Sequence, residues 1–327
     1  VNSVYDNVFY NEEQKTRYLK GLTERTYIVY SRILKRASYI EEQLNKDLYD
    51  FNIAEIEQFM NFLAPTTMTS SNDALSIIRA YIRWAIQEDL RKDNVNPLET
   101  VMSDSFIRKF VDTSVKMFFT KREIERLTGG LVNFQDSALV QCLFEGIMGN
   151  GYSEILNILK KDIDRDSNNL MVRNAAASGE LQSRVIPVSS RLMNMLFSAA
   201  NETIYHKNNG NPDVNLKAKD GELIDNEFVF RAVKMNTKEY GRANSHLVSR
   251  RITNIGEWFD YPHLTPMNIK KSGMLWMAKQ LVNQSGKLER EEVVEVCRQF
   301  RVDSKITTRL TRDFLNLNTI NKLYTEE

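Results

Sequence analysis

The chain has 327 residues, with 44 Lys and Arg against 43 Asp and Glu, 42% hydrophobic residues, 13 Gly, 6 Pro and 2 Cys. This is an ordinary globular composition, long enough for two domains that each bury a core. It excludes a disulfide framework, and with no apolar run near the ~18–20 residues that a span requires, it excludes a membrane helix.

The two cysteines, Cys142 and Cys297, and a charged stretch over residues 1–20 in place of a signal-type apolar one lead us to expect a cytoplasmic protein with no membrane partner. From Glu12 to about Leu98 the apolar residues recur at three and four, which predicts helices over Glu12–Leu22, Glu24–Leu44, Asn52–Leu63 and Asn72–Leu90. Asn52 followed by Glu55 reads as a capped start, and Pro65 to Ser71 as a turn. Asn96-Pro97 closes this unit, because proline removes a donor and restricts its predecessor. The expected organisation is a helical domain over residues 1–103, a linker over 104–117 and a second domain over 118–327.

Thr120 with Glu123 forms a second capping box that opens the second domain. Helices are expected at Ser137–Phe144 and Ser153–Leu159. A β-hairpin follows, formed by Leu170–Arg173 and Arg184–Val188 around the small-residue turn Ala175–Gly179. Helical patterns return at Ser190–Thr203, Ser245–Phe259, Met267–Asn283, Arg290–Phe300 and Ile306–Leu317, and Tyr205 to Gly221 reads as polar loop.

The balanced net charge is unevenly distributed. On the second helix Tyr27, Tyr30, Leu34 and Ala37 share one face and Arg25, Arg32 and Arg36 gather on the other. On the fourth, Ala74, Leu75, Ile78, Tyr81 and Ala85 turn inward while Ser76, Arg79 and Arg83 form an outward strip. Residues 231–251 carry Arg231, Lys234, Lys238, Arg242, Arg250 and Arg251 against Glu239 alone, and Arg298, Arg301, Lys305, Arg309 and Arg312 meet only Asp303. Any one such cluster is most simply a solvated face. Clusters in both domains suit a groove that closes on a polyanion, and duplex DNA is the expected ligand.

Other chemistry is poorly supported. His206, His246 and His263 are dispersed, so no metal is expected, and no cofactor motif is present. Asp162-Ile163-Asp164-Arg165-Asp166 begins like a calcium loop, but Ser167 stands where glycine is needed and Arg173 where the bidentate acid belongs.

The order of features resembles the tyrosine recombinase, or phage integrase, family over nearly the whole chain. The resemblance is carried by Thr26 and Tyr30, the run Ile77-Ile78-Arg79-Ala80-Tyr81-Ile82-Arg83-Trp84-Ala85, Asn96-Pro97, and Phe119-Thr120 with Glu123-Ile124. It implies a mainly α, two-domain clamp: a helical core-binding domain plus a mixed α/β catalytic-like domain with a small sheet. Ser153-Glu154 matches the pair that follows the family's first catalytic arginine, but the arginine position holds Gly151. The hairpin lysine is missing from Asn174 to Gly179, ahead of the family-like Arg184-Val185-Ile186-Pro187. In the His-x-x-Arg box, Met267 replaces histidine and Lys270 replaces arginine. Val302 takes the next histidine or tryptophan position, and Thr311, or Arg312 if the register slips by one, the place of the nucleophilic tyrosine.

Phosphoryl transfer depends on positioned positive charge, one arginine being worth about 10³ to 10⁵ in rate elsewhere. The expectation is therefore a non-enzymatic DNA-binding protein, and the resemblance implies a prophage repressor that occupies phage operator sites and maintains lysogeny. Arg25, Arg32, Arg36, Arg79, Arg83, Arg184, Lys234, Lys238, Arg242, Arg250, Arg251, Lys270 and Lys271 are its candidate DNA contacts. The alternatives are an active recombinase with Tyr324 as displaced nucleophile and an interaction scaffold that binds no DNA. By resemblance, the last helix, Asp313 to Tyr324, packs either on a neighbouring subunit, giving a homo-oligomer, or on its own chain.

Overall fold

The computed structural model describes residues 8–176, 178–211, 218–234 and 240–325. The chain divides into two compact units, Val1–Val115 and Lys116–Glu327. It is mostly helical, with two two-stranded antiparallel sheets among the described residues.

The first unit contains α1 (Glu12–Leu19), α2 (Glu24–Leu44), α3 (Ile53–Leu63), α4 (Met68–Gln87) and α5 (Asp104–Lys109). Its core is built on Leu34, Leu48, Phe51, Ile56, Phe59, Met60, Leu75, Ile78 and Tyr81, all fully buried. The Asn52–Glu55 capping box starts α3 as expected. α4 begins one turn before the expected Asn72, inside the segment read as a turn, because Thr67 and Ser70 cap each other's backbone amides reciprocally at 3.0 and 3.1 Å. Ser70 stands where the usual pattern has Glu or Gln, so the sequence hid this start. Tyr27 does not turn inward: it is 45% exposed, because the buried side chains of α2 begin only at Ser31. Part of the expected linker, 104–117, belongs to this unit, since α5 packs Ile107 and Phe110 into the core.

Beneath this core lies an ion cluster that the apolar pattern did not announce. Lys15, fully buried, donates to Glu41 at 2.7 Å and Asp47 at 3.3 Å, and the Tyr81 hydroxyl donates to Asp47 at 3.1 Å. Two carboxylates share one ammonium, and burial pushes the Glu41 carboxyl up to about 8.

The second unit runs α6 (Lys121–Gly129), α7 (Phe134–Phe144), α8 (Ser153–Leu156), β1 (Asn169–Ala175), β2 (Leu181–Pro187), α9 (Ser190–Asn201), β3 (Ile204–His206), β4 (Asp220–Glu222), α10 (Ser245–Trp258), α11 (Pro266–Ser285), α12 (Arg290–Gln299), α13 (Thr307–Asp313) and α14 (Leu317–Tyr324). The Thr120–Glu123 box caps α6 as expected. α7 is buried from Gln135 to Phe144 and forms the centre of the core, with α6, α9, α10 and α11 around it. The expected hairpin is present, in a register that pairs Asn169 with Pro187 and Ala175 with Leu181. In the stretch read as loop, β3 pairs with β4, placing Ile204 opposite Glu222.

The helical pattern expected over Ile306–Leu317 stops at Asp313, and the last helix, expected from Asp313, begins at Leu317. The chain leaves helical geometry at Phe314, and the Asn316 side chain accepts from the Thr319 amide at 2.9 Å to start α14. Phe314, Leu315, Ile320 and Tyr324 then bury against Met274, Leu275, Val296 and Phe300 of the same unit.

Candidate nucleic-acid interface

In the first unit, the Thr23 side chain caps α2 and the helix presents Arg25 and Arg32 to solvent. Neither guanidinium has an ion-pair partner among the described residues. Arg36 lies on the same stripe but does a different job. It donates to the Phe62 and Leu63 carbonyls at 3.4 and 3.3 Å and stacks on the Phe62 ring, so it ties down the end of α3. On α4, Arg79 is half-buried and Arg83 is exposed, paired with Glu99 at 2.6 Å. That pair is solvated on both sides, so a competing phosphate displaces it at little cost.

In the second unit the expected anchors separate into two groups. Arg242 and Arg250 are exposed, and Lys234 is exposed with Glu222 at 3.8 Å; these remain available to a polyanion. Lys238 lies outside the described residues. Arg251 does not fit the expectation: it is 4% exposed, held at 3.3 Å from Asp136 and donating to Gln135 and the Arg231 carbonyl. Arg231 is likewise buried, bonded to the carbonyls of Ala199, Ala200 and Glu202. A charge buried this deeply must be paired in place, so both arginines brace the fold instead of facing a ligand.

Arg184 is the clearest correction. Its guanidinium grips the fully buried Glu154 carboxylate with both forks, Nε at 2.8 Å and Nη2 at 3.0 Å. It also donates to the carbonyls of Gly146, Arg298 and Gln299. All its donor directions are filled by the protein. Arg301 approaches the same carboxylate at 3.5 Å and donates to Gln182 on β2 at 2.7 Å. Lys270, half-buried at the start of α11, feels the charges of Glu154 and Arg184, and its burial pushes the ammonium down to about 8. Lys271 points elsewhere: its ammonium lies 5.2 Å from the centre of the Phe314 ring, and burial lowers its pKa.

Two arginines thus converge on one buried carboxylate, with Lys270 near enough to feel its charge. Sequence reading paired Ser153-Glu154 with Gly151 and grouped Arg301 with a surface cluster. Nothing in the spacing indicates that Arg301 folds back on a residue 147 positions earlier.

The positions read as degenerate stand as follows. Gly151 is exposed, with φ 55° and open space where a side chain would begin. Between Gly149 and Tyr152 the backbone is left-handed at Gly149, Gly151 and Tyr152, and the segment is held by Asn150 and Ser153 on the Asn174 side chain. Met267 is 46% exposed, Val302 is half-buried against the α11–α12 core, and the Thr311 hydroxyl donates to the Thr307 carbonyl of its own helix. Tyr324 is 7% exposed, with its ring beside Trp276 and under Lys279. Asp162, at the head of the calcium-like string, pairs bidentately with Arg173 instead.

Several solved structures align with more than nine-tenths of the chain. Among those that do so are the XerA recombinase, with a TM-score of 0.43 and 16% identity over 96% of each chain, and a lambda integrase dimer bound to a COC′ core site, with a TM-score of 0.49 and 12% identity over 94% of this chain and 78% of that one. In sequence, the chain is 31% identical to the SPbeta prophage-derived uncharacterized protein YopR of Bacillus subtilis (strain 168), over 97% of each. Residues 9–87 match the MrpR N-terminal core-binding domain and residues 118–325 the MrpR C-terminal catalytic domain. With both parts of that family matched in order and the greater part of its length covered, the chain belongs to the MrpR family.

Proposed function

We propose that the protein binds double-stranded DNA sequence-specifically and acts as a prophage transcriptional repressor that maintains lysogeny, on a recombinase scaffold that no longer performs chemistry. The observation that carries this reading is the pocket at Glu154. Its cations are engaged with an internal carboxylate, Gly151 supplies no guanidinium, and Thr311 supplies no phenol. Tyr324 is a poor substitute nucleophile, because it is packed in a hydrophobic cluster with an ammonium over its ring face. The exposed cations Arg25, Arg32 and Arg83 of the first unit and Lys234, Arg242 and Arg250 of the second, together with half-buried Arg79 and Lys270, support binding without cleavage. The prophage origin of the YopR relative supports a phage operator as the site occupied.

The test combines gel shifts of phage regulatory fragments with nicked suicide substrates. We expect retention at low salt, with the logarithm of affinity falling against the logarithm of salt at a slope near about −5 for roughly six neutralised phosphates. No covalent adduct is expected. An adduct that Tyr324→Phe abolishes would overturn the repressor reading, and failure of every fragment to bind would overturn DNA binding itself.

A further inference from the structure

The outward face of α2 is not purely cationic. At about 100° per residue, Arg25, Ile28, Val29, Arg32 and Tyr39 fall within one arc of about 100°. Ile28 is 51% exposed, Val29 49% and Tyr39 42%. A single exposed apolar side chain is ordinary, but two adjacent β-branched residues left bare between two arginines ask for a partner with matching chemistry. The core does not supply one, since the buried side chains of α2 begin at Ser31.

An apolar protein surface would cover Ile28 and Val29 but desolvate Arg25 and Arg32 without payment. A row of phosphates alone would satisfy the arginines and leave the aliphatic groups against water. The major groove of duplex DNA offers both chemistries: phosphates along its walls, guanine acceptors on its floor and, at each thymine, a projecting C5 methyl group. Its width of about 12 Å also matches a helix with side chains.

We propose that Ile28 and Val29 read thymine by packing against C5 methyl groups in the major groove, with Arg25 and Arg32 flanking them on phosphate or guanine. This inference rests on the DNA-binding reading above. Isoleucine and valine in a helix are nearly confined to one χ1 rotamer, so their methyl groups are presented in a fixed place and little freedom is lost on contact.

The full chain is used to select bound duplexes from a random library, and each thymine of a selected duplex is then replaced by uracil, which removes only the C5 methyl. The unmodified protein should bind the uracil duplex more weakly, roughly fourfold for each methyl contacted, as ~0.8 kcal/mol per buried methyl-sized group implies. Ile28→Ala/Val29→Ala should bind thymine and uracil duplexes alike. Arg32→Ala should weaken binding to both duplexes while the thymine-to-uracil ratio is kept.

Equal binding of the two duplexes by the unmodified protein would refute methyl reading and leave DNA binding standing. A thymine preference that survives in the alanine pair would assign it to DNA shape and overturn the proposal. Selection of no duplex at all would sink the underlying DNA-binding reading. If the alanine pair instead abolished concentration-dependent self-association, the face would belong to a second copy of the chain. The uracil comparison needs no variant, so it remains decisive should the alanine pair fold poorly.

Discussion

Replacing Arg184 by alanine separates the two roles open to this residue. As a phosphate anchor it would contribute to DNA affinity and little to stability. The structure instead gives it a two-pronged bond to a carboxylate with no solvent exposure, and three further bonds to the carbonyls of Gly146, Arg298 and Gln299. It therefore joins β2, α8, the turn after α7 and the end of α12. In Arg184→Ala the buried Glu154 would keep only Arg301 at 3.5 Å and the Met148 amide at 3.2 Å. Breaking a buried pair from one side costs about 3–5 kcal/mol. Because the Arg184 side chain is 19% exposed, water recovers part of this, and we expect a loss of about 2–4 kcal/mol. With a urea slope of about 2 kcal/mol/M, the unfolding midpoint of the second unit should fall by about 1–2 M. The chain has two units, so the transition must be assigned to the right one. Of the three tryptophans, Trp258 and Trp276 lie in the second unit and Trp84 in the first, so a Trp84→Phe background makes fluorescence report the second unit alone. Glu154→Gln combined with Arg184→Ala should cost less than the sum of the single changes, because it leaves no orphaned charge. A midpoint unchanged within 0.2 M (about 0.4 kcal/mol), accompanied by weaker DNA retention and a shallower salt slope, would refute this account and return Arg184 to the DNA interface.

The Lys270 ammonium is lowered to about 8, so it is charged below that pH and neutral above it. DNA affinity should decline as pH rises through about 8, and Lys270→Arg, which stays charged, should flatten that decline in filter binding between pH 7 and 9. By the same shift, the Lys270 contribution to stability is present above its unfolded pKa and lost as pH falls through about 8. Glu41 runs the other way, being raised to about 8 in the fold: its contribution is full below the unfolded carboxylate range and is lost as pH rises through about 8. In a Trp258→Phe/Trp276→Phe background, melting of the first unit followed by Trp84 should therefore weaken between about pH 5 and 8, and Glu41→Gln should remove much of that slope; a slope unchanged in this variant would count against the shared-ammonium account. At Gly273, a Cβ would sit 1.8 Å from the Phe144 carbonyl oxygen where α11 crosses α7. Because the obstacle is backbone, Gly273→Ala should destabilise by about 3 kcal/mol in urea unfolding, and a neutral result would mean that the two helices are not in contact there.

Local pattern was enough to set out most of the elements. The three-and-four spacing places α2 from Glu24 to Leu44 without error, the reciprocal Asn52–Glu55 and Thr120–Glu123 caps mark two helix starts, and the strand pair around Ala175–Gly179 needs only nearest-neighbour preferences. These features are legible because the interactions that decide them span few residues. The start of α4 was missed because Ser70 performs a capping role usually given to a longer side chain, and the split between α13 and α14 because Asn316 starts a helix inside an otherwise continuous apolar rhythm. Charge was the least legible property. Arg32 and Arg36, or Arg250 and Arg251, are indistinguishable by type and spacing, yet one of each pair faces solvent and the other braces a carbonyl or carboxylate. A guanidinium's role depends on which distant acceptors the fold brings within hydrogen-bond reach. The sequence alone determined where most of the helices run and which residues stand in each charged cluster; only the tertiary structure decided that Arg184 and Arg301 converge on Glu154, because that meeting joins segments far apart in the chain through packing that no local pattern encodes.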